Sequence, residues 1–135
     1  MEAKNADVGV VDVAALARQG GDRQPLWAYQ STDLNVNLLA WNAGDGVAEH
    51  TNAEVDVLIV GIEGHGVITV EGVSHPLRAG QVLIIPMGTR RAIQGTSDCF
   101  AYLTCHRRRG GLWPEGAPRS RPMSSPSDEG LTTPS

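Results

Sequence analysis

Between residues 26 and 106 the chain is a succession of short runs rich in β-branched and aliphatic residues, each closed by a turn of glycine or small polar residues. The runs fall at 26–30, 34–41, 55–62, 67–71, 82–85, 91–93 and 100–106, with Gly44, Gly46, Gly64, Gly66, Gly72, Gly80 and Gly88 punctuating the intervals. Apolar runs this brief, bounded by turn residues, predict strands rather than helices. Strands so closely spaced fit a sandwich or barrel of antiparallel sheets. Within 34–41, Leu34, Val36, Leu38 and Ala40 alternate with Asn35, Asn37, Leu39 and Trp41. Successive strand residues point to opposite faces, so one face is apolar and the other mixed, as expected of a strand that covers a core.

The flanks differ. Residues 1–24 form an N-terminal arm with one helix candidate: Asp12 is placed to cap Val13, Ala14, Ala15, Leu16, Ala17 and Arg18, and Gly20 and Gly21 stop the run. Residues 25–112 make the predicted barrel. From 113 to 135 prolines recur at 114, 118, 122, 126 and 134 among Ser, Thr, Arg and Glu with almost nothing to bury, the composition of a disordered tail.

A chain of 135 residues has room for one domain. Its formal net charge of −4 argues against a nucleic-acid binder, whose affinity comes from neutralising phosphates. The cluster Arg107, Arg108, Arg109 is then a solvated strand exit. No apolar run reaches a membrane span, and the first residues have neither the basic nor the apolar region of a signal peptide, so a cytoplasmic protein without membrane contact is expected. Cys99 and Cys105, six positions apart in one extended stretch, would be separated by roughly 20 Å, too far to bridge. They are expected to be buried free thiols.

Two stretches are more specific. The first runs from Gly44 through His50, Asn52, Ala53, Glu54, Val55 and Asp56 to Gly64; the second from Gly80 through Pro86, Gly88, Arg90 and Arg91 to Gly95. Together they resemble the paired signature motifs of the cupin superfamily, G-x5-H-x-H-x3,4-E-x6-G and G-x5-P-x-G-x2-H-x3-N. Gly44 lies six before His50, and Gly80, Pro86 and Gly88 hold the second motif's register. The resemblance covers roughly residues 25–110. It implies an all-β, double-stranded β-helix or jelly-roll barrel, here with a short N-terminal helix and a disordered C-terminal tail.

Metal-binding members of that superfamily take two histidines and a glutamate from the first motif and a third histidine from the second. Carried over position by position, His50 matches the first histidine and Asn52 replaces the second. The acidic position falls at Asp56 or at Val57, depending on the gap, and Arg91 stands at the third histidine. A guanidinium stays protonated and offers only donors, so Arg91 repels a cation and favours a carboxylate or phosphate. The leading expectation is therefore a cupin-fold binding protein with an altered metal site and no cofactor. It would hold a small anionic organic ligand through His50, Asn52, Asp56 and Arg91. The alternative is a metal-dependent cupin enzyme, a dioxygenase, isomerase or epimerase, in which His50, Asp56 and His106 rebuild a site for Fe, Mn, Ni or Zn. In a third reading the barrel is a scaffold that makes its contacts through the tail or the arginine run.

The plainer roles are equally definite. His50 could be a hydrogen-bonded strand-end residue and Asp56 with Arg91 an ion pair; His65 and His75 are expected in exposed turns, and Trp27 and Trp41 in the core or an interface. His106 would share its strand face with Phe100, Tyr102 and Thr104, opposite Cys105. A homodimer is expected, with Leu26, Trp27 and Tyr29 as candidate contacts. No nucleophile elbow, phosphate-cradling loop, dinucleotide fingerprint or HExxH zinc motif is present.

Overall fold

The structure, a computed structural model, describes residues 9–21 and 23–108. One helix, α1 (Val13–Gln19), precedes nine strands: β1 (Trp27–Gln30), β2 (Leu34–Trp41), β3 (Gly46–Thr51), β4 (Val57–Glu63), β5 (His65–Val70), β6 (Val73–Arg78), β7 (Val82–Ile85), β8 (Arg90–Gly95) and β9 (Phe100–Arg107). The helix begins as its sequence predicts, with the Asp12 carboxylate accepting a hydrogen bond from the amide of Ala15 at 3.0 Å. It ends at Gly20, whose φ of +67° is left-handed and suits a residue without Cβ.

The strands form two antiparallel sheets. The larger has the order β1-β2-β9-β4-β7 and the smaller β3-β8-β5-β6. Leu39, Val55, Val57, Ile59, Ile68, Leu77, Ile85, Ile93, Phe100 and Tyr102 fill the space between them. Each such side chain, taken fully from water, contributes about 1.5–3 kcal/mol. Close approach demands glycine at Gly66, where a Cβ would lie 2.2 Å from the Phe100 ring. Trp41 Nε1 donates to the Tyr102 hydroxyl at 2.8 Å, so the one polar atom of a wholly enclosed phenol is satisfied. Burial pushes the Tyr102 phenol well above its ordinary range, opposed only in part by that bond.

Strand β2 covers the core with its mixed face. Leu39 and Trp41 point inward with Asn35 and Asn37, as the cross-strand pairs Tyr102↔Leu39 and Thr104↔Asn37 require. The apolar set looks out. The helix packs on this outer side against β2 and β4, and Ala17 is buried beneath it. Two outward rows remain apolar across the whole larger sheet: Trp27, Leu38, Leu103, Val60 and Val82, then Tyr29, Val36, Cys105, Leu58 and Ile84. Ile84 is 61% exposed.

Two strands depart from the sequence reading. Residues 46–51 and 73–78 pair as β3 and β6, although the first has no apolar run and the second contains Pro76. Proline is tolerated in β6 because that strand lies at the sheet edge. His65 and His75 consequently belong to strands and not to turns; His65 is exposed and His75 half-buried. Both cysteines are free and half-buried. The boundary at 112, the tail at 113–135, Arg109 and residues 1–8 lie outside the described residues. Among the described residues no helix is long and apolar enough to cross a membrane.

Candidate functional site

Antiparallel pairing collects one set of strand ends at a single mouth of the barrel. There β3 ends at Thr51 and β4 begins at Val57; β7 ends at Ile85 and β8 begins at Arg90; β2 begins at Leu34 opposite the end of β9 at Arg107. The mouth loops are tied by backbone acceptors. Arg107 Nη2 donates to the Glu54 carbonyl at 3.1 Å and Arg108 Nη1 to that of Ser31 at 3.2 Å. The amide of Gly88 donates to the Asn52 carbonyl at 2.7 Å, which joins the 52–56 loop to the 86–89 turn.

A β-bulge decides which side chain enters here. Val47 pairs with Ile93, and a regular ladder would set Glu49 against Arg91; the register shifts, and His50 pairs with Arg91 instead. One extra residue thus turns His50 to the interior face and Glu49 outward, where Glu49 meets Arg90 at 3.4 Å. His50 Nδ1 lies 2.9 Å from the Ala48 carbonyl. Since a carbonyl only accepts, Nδ1 carries a proton.

Arg91 is completely enclosed. Its Nε donates to the Thr89 carbonyl at 2.9 Å, and Nη2 donates to the Pro86 carbonyl at 3.1 Å and to Thr89 Oγ1 at 3.4 Å. The guanidinium therefore braces its own turn while standing inside the barrel. Asn52 is nine-tenths buried. Its Oδ1 accepts from the amides of Glu54 at 2.9 Å and Val55 at 3.4 Å, and its Nδ2 is enclosed with no partner among the described residues.

Asp56 is placed differently. It is exposed, and its Oδ1 accepts from the amide of Met87 at 2.8 Å, so it caps the neighbouring turn. The interior position next to it belongs to Val57, which is fully buried in the core. His106 does face inward with Phe100, Tyr102 and Thr104, all buried, but from the larger sheet, whereas His50 enters from the smaller. The residues at the four motif positions, His50, Asn52, Val57 and Arg91, include a single good metal donor. Among the described residues no three His, Cys, Asp or Glu side chains come together as a metal site. A divalent metal of the usual kind does not fit these residues, nor does the set His50, Asp56, His106.

Sequence reasoning passed over the inward amides of Asn35 and Asn37 and the hydroxyl of Thr104. Polar residues at 35 and 37, two apart on a strand, were the available signal. Outside the barrel, Glu71 accepts from the Arg90 amide at 2.8 Å and its Oε1 meets the guanidinium at 3.4 Å. The amide bond chiefly, with the Arg90 charge, holds the Glu71 carboxyl below its ordinary range. Burial, and then the charge of Glu63, raise the Cys99 thiol.

The architecture has close counterparts. A cupin protein from Bacteroides fragilis superposes with a TM-score of 0.53 at 23% identity, covering 75% of this chain and 80% of that one. The cupin domain of Schizosaccharomyces pombe Cnp3 superposes at 0.54 with 14% identity, covering 58% of each. This chain has the cupin fold. No family model matches the sequence. Among curated proteins, this chain is 28% identical over 98 residues to protein SchB of Streptomyces halstedii, across 70% of the chain and 71% of SchB. It is 26% identical over 102 residues to polyketide synthase CurC of Streptomyces cyaneus, across 73% of the chain and 66% of CurC, just under two thirds of that relative.

Proposed function

We propose that this cupin binds a small anionic organic molecule at the barrel mouth, and that the molecule is an acid of polyketide origin. The observation that carries the reading is the enclosed guanidinium of Arg91 in register with His50, where metal-binding members of the superfamily place imidazole. A permanently charged, donor-only group inside a low-dielectric barrel favours a carboxylate, an enolate or a similar anion. Asn52 Nδ2 adds a donor. Asp56, as a turn cap, takes no part. The polyketide assignment rests on the likeness to CurC: folded and aromatised polyketone chains give hydroxylated aromatic acids.

Calorimetric titration of the full chain with 2-naphthoate and with 2-naphthamide tests this. The two share shape and differ in charge, so the carboxylate is expected to bind about tenfold tighter or more. Equal affinities, or no saturable binding of either, would overturn the reading. The same reading makes the protein a cytoplasmic homodimer, and the outward apolar rows of the larger sheet give two copies a surface to share.

A further inference from the structure

Strand β7 is an edge of the larger sheet, and its residues do nothing to close that edge. In the smaller sheet, edge strand β3 is bent by its bulge and carries Glu49, and edge strand β6 contains Pro76 and ends at Arg78. Bulges, charges and prolines keep a free edge from pairing with another chain. Val82, Leu83, Ile84 and Ile85 include no charge and no proline, and Val82 and Ile84 are 57% and 61% exposed.

The ladder to β4 decides which main-chain groups this edge presents. The Gly61 amide donates to the Gln81 carbonyl at 2.8 Å. Bonded pairs recur at every second residue of an antiparallel ladder, so with Ile59 opposite Leu83 and Val57 opposite Ile85 it is Leu83 and Ile85 that bond to β4. The amides and carbonyls of Val82 and Ile84 point the other way, out of the sheet.

A second copy of the same strand fits that edge in one register. Pairing about a two-fold axis must set outward residues against outward ones, since a slip of one position reverses the face. With Leu83 on the axis, Val82 meets the partner's Ile84 and Ile84 the partner's Val82, and every amide and carbonyl presented by the two edges is used. A slip of two positions in one direction calls on Pro86, which has no amide hydrogen. In the other direction it calls on the Gly80 amide, which already donates to the Gly61 carbonyl at 2.9 Å. A two-fold contact also brings each charge near its own copy, and β7 has none to oppose itself.

We propose that two copies of the chain join β7 to β7, antiparallel and with Leu83 on the two-fold axis, so that two five-stranded sheets become one. The pairing rests on the homodimer put forward above and gives it a contact: the outward apolar rows run on across the join, Ile84 beside the partner's Val82.

Sedimentation of the full chain over a concentration series, with Ile84→Pro and Leu83→Cys, tests this. Ile84→Pro removes an amide hydrogen that points away from β4, and is expected to weaken the dimer about tenfold or more. On the axis the two Leu83 Cα atoms form a non-hydrogen-bonded pair about 4.5 Å apart, within disulfide reach. Oxidised Leu83→Cys is therefore expected to give at least about ten times the cross-linked dimer of wild type, whose own Cys99 and Cys105 set the background. A wild-type dimer that Ile84→Pro does not weaken, or that Leu83→Cys does not cross-link above background, overturns the pairing and leaves the homodimer standing. Growth past a dimer overturns it as well, because β7 would then join the other edge of the larger sheet, β1, in a head-to-tail contact that does not close. A wild-type monomer at every concentration overturns the pairing and the homodimer together.

Discussion

His50 and Arg91 face each other across β3 and β8 because of one surplus residue in β3. The bulge puts an imidazole whose Nδ1 is committed to a backbone carbonyl beside a guanidinium whose Nε and Nη2 are committed to the 86–89 turn. Both side chains are anchored by main-chain oxygens, so the backbone sets their orientation.

Installing the donor set of metal-binding cupins should create a metal site. The triple variant Asn52→His, Val57→Glu, Arg91→His, dialysed against zinc and analysed for metal, is expected to hold close to one ion per chain. The unaltered chain, treated alike, is expected to hold well under a tenth of that. Equal content in the two would show that the residues at these positions do not govern coordination.

Arg91 should matter to stability as well as to binding. Arg91→Met removes three hydrogen bonds made by a charged group, with an expected loss of about 2–4 kcal/mol in urea unfolding. Arg91→Lys keeps the charge but not the planar fork, and should recover only part of this.

Gly66 leaves no room for a side chain. With Phe100 on one side and the Gln94 carbonyl 2.7 Å from the Cβ position on another, Gly66→Ala is expected to cost about 1–3 kcal/mol. A melting temperature unchanged from wild type would contradict the packing described.

Glu71 links stability to pH. Its carboxyl is held below the ordinary value of 4.5, so the folded state binds its proton less readily than the unfolded chain. Its contribution is present above the unfolded value and is lost as pH falls through the folded one. Unfolding midpoints of wild type and Glu71→Gln should therefore differ by a constant amount above about pH 5 and converge in acid. Midpoints that stay parallel down to pH 3 would remove Glu71 from the acid limb.

The outward apolar rows predict self-association. Size-exclusion chromatography over a concentration series should show a dimer, and Ile84→Glu, at the exposed end of one row, should shift it to monomer. Elution at monomer size throughout would count against a homodimer.

Much of the fold was legible because strand period and turn chemistry agree. Residues 34–41 and 82–85 match their strands to the residue, and the helix matches its cap. Strand β3 escaped because Gly46, Ala48, Glu49 and Thr51 are all exposed and give no apolar alternation. Strand β6 escaped because Pro76 reads as a turn away from a sheet edge. In the site, motif spacing brought His50 and Arg91 forward, and the structure pairs them across two strands. Asp56 lies one position before the interior Val57, and one position along an extended chain reverses the face. The inward position of Asn35 and Asn37 was hidden for a related reason. Composition alone assigns an apolar face to the core, yet β2 turns Leu34 and Val36 outward and keeps two amides inside.

The loops of the mouth are fastened through carbonyl oxygens of Ser31, Asn52 and Glu54. Every amino acid carries that acceptor. Side chains at Ala53 and Glu54 can therefore be exchanged without unfastening the loops, and the rim can vary while the barrel beneath it stays as it is. For an engineer, these are the positions at which to build a library.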